Sequence, residues 1–245
     1  MKYFLGDLKY YFNKIITSSY KTENLSELRK NGILVINEFI SAEICEFLRN
    51  SIDKSLDNDL YSWKDDLGSD YRIFGFENLE PRSISLFEPL EKLYKGYIDF
   101  SVNNSFLMAN RVRYKKNNIG SGGGWHRDSL NRRQLKFMVY LNDVSSLNGA
   151  FEYLPRTHSA RNKFLTNKFL TKKVRYSQSE IEEYQQECPS KVFTGQKGTC
   201  IVFDSSGLHR GTPIKNGERY AITKYMYDSN IPRHVSSLII SGDSN

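Results

Sequence analysis

The chain has four histidines, His126, His158, His209 and His234, so any convergence among them is informative. One lies in Trp125-His126-Arg127-Asp128, directly behind Gly122-Gly123-Gly124. In an extended segment residues i and i+2 project to the same face, so His126 and Asp128 can offer an imidazole nitrogen and a carboxylate oxygen to one point. His209, in Gly207-Leu208-His209-Arg210-Gly211 just after the apolar run 199–203, is the best third donor. Two imidazoles and one carboxylate on one face leave three positions open on ferrous iron, the arrangement of non-haem Fe(II) oxygenases. The same side chains suit zinc with water as the fourth ligand. Spacing alone leaves both metals open.

Arg219, ten positions after His209, weighs toward iron. An iron oxygenase that uses 2-oxoglutarate needs a buried cation for the distal carboxylate, and a guanidinium grips carboxylate bidentately with a permanent charge. The Asn216-Gly217 pair before it is a turn signal. A flat two-residue hairpin would leave Arg219 five rungs, roughly 17 Å, from His209. A corner at which the chain passes from one sheet to another removes that difficulty. Trp125 reads as packing beside a ligand, Arg127 as a rim residue, and His234 as an exposed tail residue. Arg111, Arg132 and Arg133 read as solvated charge.

Positioning these side chains requires a rigid frame. Residues 3–16 place Phe4, Leu8, Tyr11, Phe12, Ile15 and Ile16 on one stripe, which predicts an amphipathic helix packed on its own core. Further helices are predicted at 24–31, ended by Asn31-Gly32, from Ser41 as N-cap with Ile44, Phe47, Leu48 and Ile52 at helical spacing, and at 84–99. A strand is expected at 33–36. Beyond 105 short β-rich runs take over, near 106–114, 135–142, 149–154, 190–194, 199–204, 207–212 and 219–227. The basic stretch 159–188 interrupts them and holds a helix capped by Ser177 with Glu180 three residues on. A sandwich or jelly roll with helices outside follows. One domain over 1–245 is expected: a mainly helical part at 1–100, the core at 105–228 with its insertion at 159–188, and a tail at 229–245.

Composition excludes other classes. With 39% apolar and 26% charged residues, and only 16 glycines and 6 prolines, the chain is not disordered, collagenous or coiled-coil. Its apolar runs fall far short of the ~20 residues a membrane span requires. Asp7 and Lys9 interrupt any export signal, and Cys45, Cys188 and Cys200 form no CxxC pair, so reduced thiols and a cytoplasmic location are expected.

Together, Trp125-His126-Arg127-Asp128, then Asn148-Gly149-Ala150-Phe151-Glu152-Tyr153-Leu154-Pro155-Arg156-Thr157-His158, then His209-Arg210-Gly211 and Arg219, resemble the phytanoyl-CoA dioxygenase family of Fe(II)/2-oxoglutarate oxygenases. Lys30-Asn31-Gly32-Ile33-Leu34-Val35-Ile36 and the helix from Ser41 are similar too, so the likeness spans roughly 24–228. It implies an α+β fold: a double-stranded β-helix (jelly-roll, cupin-like) core with N-terminal helices packed against one sheet. It implies His126, Asp128 and His209 on iron as the catalytic centre, Arg219 on the C5 carboxylate of 2-oxoglutarate, O2 as oxidant, and a scaffold role for His158. Two departures stand out. Arg156-Thr157 replaces the family's usual Gly-Ser before this histidine, and Gly211 occupies the place of a serine that assists the co-substrate, a role that falls to Thr212. Arg113 and Tyr114 are expected on the C1 side of 2-oxoglutarate. Retention of Asp128, which a halogenase of this type would replace, favours hydroxylation.

Two rival readings are a zinc hydrolase on the same His-Asp-His set, which leaves Arg219 without a purpose, and a basic nucleic-acid-binding module. The surplus of 35 Lys and Arg over 28 Asp and Glu, +7 in all, is scattered rather than striped, so no nucleic acid is expected. The charge favours a small phosphorylated, nucleotide- or carrier-linked substrate of a biosynthetic pathway. Oligomeric state leaves no mark in the sequence.

Overall fold

Leu25 and Leu28, three apart, put one buried stripe on helix α1 (Glu23–Asn31), which ends where Gly32 adopts φ +77°. A side chain there would run into the His158 ring, so this stop fits only glycine. The computed structural model describes residues 23–57, 63–90, 95, 97, 105–130, 134–159, 161–163, 173–186, 188–227 and 230–240. The stripe at 3–16 and Arg132 and Arg133 lie outside these. Strand β1 (Ile33–Ile36) follows, then α2 (Ala42–Leu56), whose first turn is capped by the Ser41 hydroxyl accepting from the Ile44 amide at 3.4 Å. The buried stripe of α2 is Cys45, Leu48 and Ile52. Ile44 is 38% exposed, one position off the expected face.

Two strands escaped the sequence reading, β2 (Trp63–Lys64) and β3 (Asp70–Phe74). The helix expected at 84–99 is, over its first residues, a 3₁₀ segment, Pro81–Phe87, and much of the rest lies outside the described residues. The strands beyond 105 fall where the alternation placed them: β4 (Ser105–Arg113), β5 (Gln134–Tyr140) and β6 (Phe151–Tyr153). Helix α3 (Gln178–Gln185) opens with the expected capping box of Ser177 and Glu180. Then come β7 (Lys191–Phe193), β8 (Cys200–Asp204), β9 (His209–Gly211), β10 (Glu218–Tyr227) and the short α4 (Arg233–Ser236).

Seven strands form one sheet, in the order β1-β8-β5-β10-β4-β3-β2, and three form a second, β7-β6-β9. All these pairs are antiparallel. With period 2, Leu107, Phe137, Val202 and Ile222 face outward onto α1 and α2, while Met138, Tyr140, Ile201 and Phe203 face inward onto Phe151 and Tyr153 of the small sheet. Each such side chain contributes roughly 1.5–3 kcal/mol relative to exposure. The Tyr140 hydroxyl fastens the two sheets, accepting from the Phe151 amide and donating to the Phe193 carbonyl, both at 2.8 Å. This is the expected α+β jelly-roll core with N-terminal helices against the outer face of the large sheet.

The corner that Arg219 required is present. Strand β9 belongs to the small sheet and β10 to the large one, so the chain crosses between sheets over 212–217. Asn118 holds the crossing, with Oδ1 accepting from the Ile214 amide and Nδ2 donating to the Ile214 carbonyl, each at 2.8 Å. Among the described residues no helix is long and apolar enough to cross a membrane.

Candidate metal centre

His126 and His209 are cross-strand partners. The His126 amide donates to the His209 carbonyl at 3.0 Å and the His209 amide returns a bond to the His126 carbonyl at 2.8 Å. Directly opposed residues project to the same face, and the two ring centroids stand 4.3 Å apart. Each ring is oriented by the carbonyl two residues earlier: Nδ1 of His126 lies 2.9 Å from Gly124 O, and Nδ1 of His209 lies 2.9 Å from Gly207 O. A carbonyl only accepts, so each Nδ1 carries the proton and each Nε2 keeps its lone pair. Gly122, at φ +88°, leaves the space this requires, because a Cβ would sit 2.5 Å from His126 Cε1. Burial holds both imidazoles below the usual range, His209 at about 3, so both are neutral donors at pH 7.

Asp128 completes the set from the next same-face position. Its amide donates to the Ser205 carbonyl at 3.0 Å, and its Oδ1 lies 3.7 Å from His126 Nε2. One donor atom from each of the three side chains lies within 4.8 Å of the others, and no other such group of His, Cys, Asp or Glu occurs among the described residues. The sequence reading missed Lys136. From the inner face of β5 its ammonium reaches Asp128 Oδ2 at 2.6 Å and lies 4.0 Å from the Tyr225 ring centroid. Burial would raise the Asp128 carboxyl, but the Lys136 ammonium beside it outweighs that and holds the group well below the usual carboxylate range. The pair therefore leaves an ionised carboxylate with one oxygen occupied and the other available.

Arg219, 3% exposed, lines the same cavity of about 610 Å³. It donates through Nη1 to the Gly149 carbonyl, while its Nε has no hydrogen-bond partner among the described residues. Burial pulls the guanidinium below its ordinary value, and no carboxylate pairs with it there. A buried cation with an orphaned donor is half of an ion pair. Arg72 and Asn110 also line the cavity, Arg72 being held by Asp70 at 2.5 Å and by Ser121 at 3.3 Å.

Other residues expected at the co-substrate lie outside the cavity wall. On β4 the even residues Met108 and Asn110 face the cavity, which turns Arg113 to the opposite side, over the Tyr71 ring at 4.9 Å. Tyr114, just past the strand, is 52% exposed and does not line the cavity. Alternation along β9 gives the inner face to His209 and Gly211, so Thr212 lies outside the wall, with its hydroxyl buried and unpartnered among the described residues. Arg127 is no rim residue: it points away from the ligands, as expected, but into the protein, at 1% exposed over Tyr176. Trp125 is buried beneath Arg210, and Arg111 pairs with Glu218 and Asp53. His158 is bonded to the Arg29 carbonyl at 3.2 Å, at the end of α1. His234, exposed as expected, nevertheless lines the cavity, because the tail folds across its mouth with Val235 against Phe74, Phe106 and Tyr227.

A jelly roll that gathers two imidazoles and a carboxylate at one end, with a buried guanidinium in the same cavity, defines the class of double-stranded β-helix oxygenases. Residues 28–221 match the phytanoyl-CoA dioxygenase (PhyH) family, and the chain belongs to it. A comparison with curated proteins finds no match. Among solved structures, EvdO2 from Micromonospora carbonacea var. aurantiaca complexed with 2-oxoglutarate is 16% identical, covering 85% of this chain and 91% of that one with a TM-score of 0.59. The epimerase SnoN from nogalamycin biosynthesis, in complex with Fe3+, alpha ketoglutarate and nogalamycin RO, is 14% identical over 94% and 92% with a TM-score of 0.63. EctD from S. alaskensis with 2-oxoglutarate and 5-hydroxyectoine is 16% identical over 84% and 76% with a TM-score of 0.62. At these identities the likeness is one of fold.

Proposed function

We propose that the protein is an Fe(II)- and 2-oxoglutarate-dependent oxygenase that hydroxylates a C–H bond of a small metabolite and releases succinate and CO2. The observation that carries this reading is the buried Arg219 with an unpartnered Nε in the cavity that also holds the three converging donors. A hydrolytic zinc site has no need of that cation, whereas a dicarboxylate co-substrate supplies its missing anion. Iron with bound 2-oxoglutarate and O2 supplies an oxidant strong enough for an unactivated C–H bond. His126 and His209 would hold the metal through Nε2 and Asp128 through the oxygen that Lys136 leaves available. Lys136 keeps that carboxylate ionised and fixed in rotation. The aromatic wall of Phe74, Tyr225 and Tyr227 limits water around the reacting groups. Asp128 argues against halogenation, because its carboxylate would take the ligand place that a halide needs.

Anaerobic addition of Fe(II) and 2-oxoglutarate to the full chain is expected to produce a weak visible charge-transfer band. Asp128→Ala is expected to abolish it, and Arg219→Ala to raise the 2-oxoglutarate concentration required by about tenfold or more, the loss of a charge-assisted pair. Well-folded protein that shows no band, or that retains zinc rather than iron after gentle purification, would overturn the reading.

A further inference from the structure

The basic insertion enters the cavity at one residue. The segment around Arg175 runs beside the metal-ligating segment as an added strand: the Arg127 amide donates to the Val174 carbonyl at 2.8 Å, and the Tyr176 amide to the Trp125 carbonyl at 2.9 Å. His126 and Arg175 are thereby direct antiparallel partners. Directly opposed residues share a face, so the pairing that aims His126 at the metal site aims Arg175 into the same cavity, which it lines. Its head is tethered, Nη1 donating to the Gly122 carbonyl at 2.8 Å and to the Gly123 carbonyl at 3.2 Å. A Cβ on Gly123 would press on that Nη1 at 3.0 Å, so the glycine loop is shaped around the guanidinium as well as around the imidazole.

The cations of the cavity wall are otherwise committed. Lys136 is paired with Asp128, Arg72 with Asp70, and Arg219, under the function proposed above, is reserved for 2-oxoglutarate. Arg175 has no acidic partner among the described residues, and its Nε and Nη2 make no hydrogen bond there. Those two donors form the edge of a guanidinium that matches two oxygens of a carboxylate or phosphate. Because Nη1 is already anchored, an incoming anion loses little to ordering the side chain. Across the cavity the wall is apolar and aromatic, with Phe74, Met108, Tyr225, Tyr227 and Leu238.

We propose that Arg175 is the substrate-anion anchor of this site, and that the substrate is a small molecule carrying an oxyanion, carboxylate or phosphate, beside an apolar or aromatic body. The inference rests on the reading of the site as an iron and 2-oxoglutarate centre and adds the substrate class to it.

The probe is phenyl phosphate, titrated calorimetrically into the full chain loaded anaerobically with Fe(II) and 2-oxoglutarate, with phenol as the uncharged control. Wild type is expected to bind phenyl phosphate more tightly than phenol. Arg175→Gln, which keeps donors for the two glycine carbonyls while removing the charge, is expected to weaken phenyl phosphate about tenfold or more and to leave phenol unchanged. Arg175→Lys, which keeps the charge without the fork, should fall between them. Should Arg175→Gln fail to fold, the Lys variant alone must still weaken phenyl phosphate relative to phenol. Equal phenyl phosphate affinity in wild type and both variants, no binding to wild type, or a variant that weakens 2-oxoglutarate instead would overturn the assignment. Formation of the charge-transfer band in wild type reports separately on the proposed function, so the two can fail independently.

Discussion

Lys136 separates holding a metal from having the right ligands. Its ammonium takes one oxygen of Asp128 at 2.6 Å, so the carboxylate presents the other in a fixed orientation and stays ionised at the cavity. Partners that orient a ligand typically account for 10–100-fold in metal affinity. Lys136→Met keeps an unbranched apolar stem and removes the ammonium, together with its approach to the Tyr225 and Phe203 rings at 4.0 and 5.9 Å. It is expected to weaken Fe(II) or Mn(II) binding by about that factor, read by equilibrium dialysis, with the thermal midpoint less affected than by Asp128→Ala. Unchanged metal affinity would show that the rotamer of Asp128 is set by its backbone alone. At Arg219 the orphaned Nε makes the opposite expectation. Arg219→Met is expected to leave the metal-free protein no less stable in urea, because a buried unpaired cation costs more than the methionine that replaces it.

Among the elements, the two sheets depend on a small number of fasteners, of which Tyr140 is the clearest. Its hydroxyl serves both β6 and β7, and burial pushes its pKa up to about 12. Tyr140→Phe leaves the Phe151 amide and the Phe193 carbonyl unpaired, at a cost of about 1–3 kcal/mol in urea unfolding. Since the folded pKa exceeds the unfolded value of 10, the neutral phenol contributes stability that is complete below pH 10 and is lost as pH rises through 12. The variant should therefore lose stability less steeply than wild type in that alkaline window. The same strand shows what the sequence conceals. Strand β5 is buried on both faces and reads as one apolar run, so Lys136 looks like a solvated interruption rather than an inward side chain. Strand β3 was illegible for the converse reason: Asp70 and Arg72 occupy its inward positions, and a cavity-lining strand does not alternate as a core strand does. Strands β4 and β10, with apolar residues on at least one face throughout, were read to within a residue or two. Four side chains, His126, Asp128, His209 and Arg219, were readable because the first two share a local period and the others flank a turn. Arg113 faces away from the cavity because its parity on β4 is fixed only by pairing with β3 and β10, which no local pattern reveals. Arg175 reaches the cavity through a bridge to a segment 49 residues earlier, which no local pattern encodes.

At the scale of the whole molecule, the surplus of +7 is not uniform in effect, since the cavity wall carries Arg72, Lys136, Arg175 and Arg219, of which only Arg72 and Lys136 are paired with carboxylates. The three thiols fit a protein without thiol chemistry: burial raises Cys45 to about 11 and pushes Cys200 up further, while Cys188 is half-buried. A disulfide-exchange reagent at pH 8 is accordingly expected to label Cys188 first and the other two only on unfolding, as followed by peptide mass. The reciprocal amide bonds between His126 and His209 have a wider consequence. The two imidazoles are joined through their own backbones, and Asp128 is tied to Ser205 independently of both. On the function proposed above, these backbone bonds, and not the iron, would fix the positions of the three ligating residues. Deuterium uptake at the amides of His126, Asp128 and His209 should be slow and nearly identical with and without the ion, and chelators should strip the protein without unravelling it.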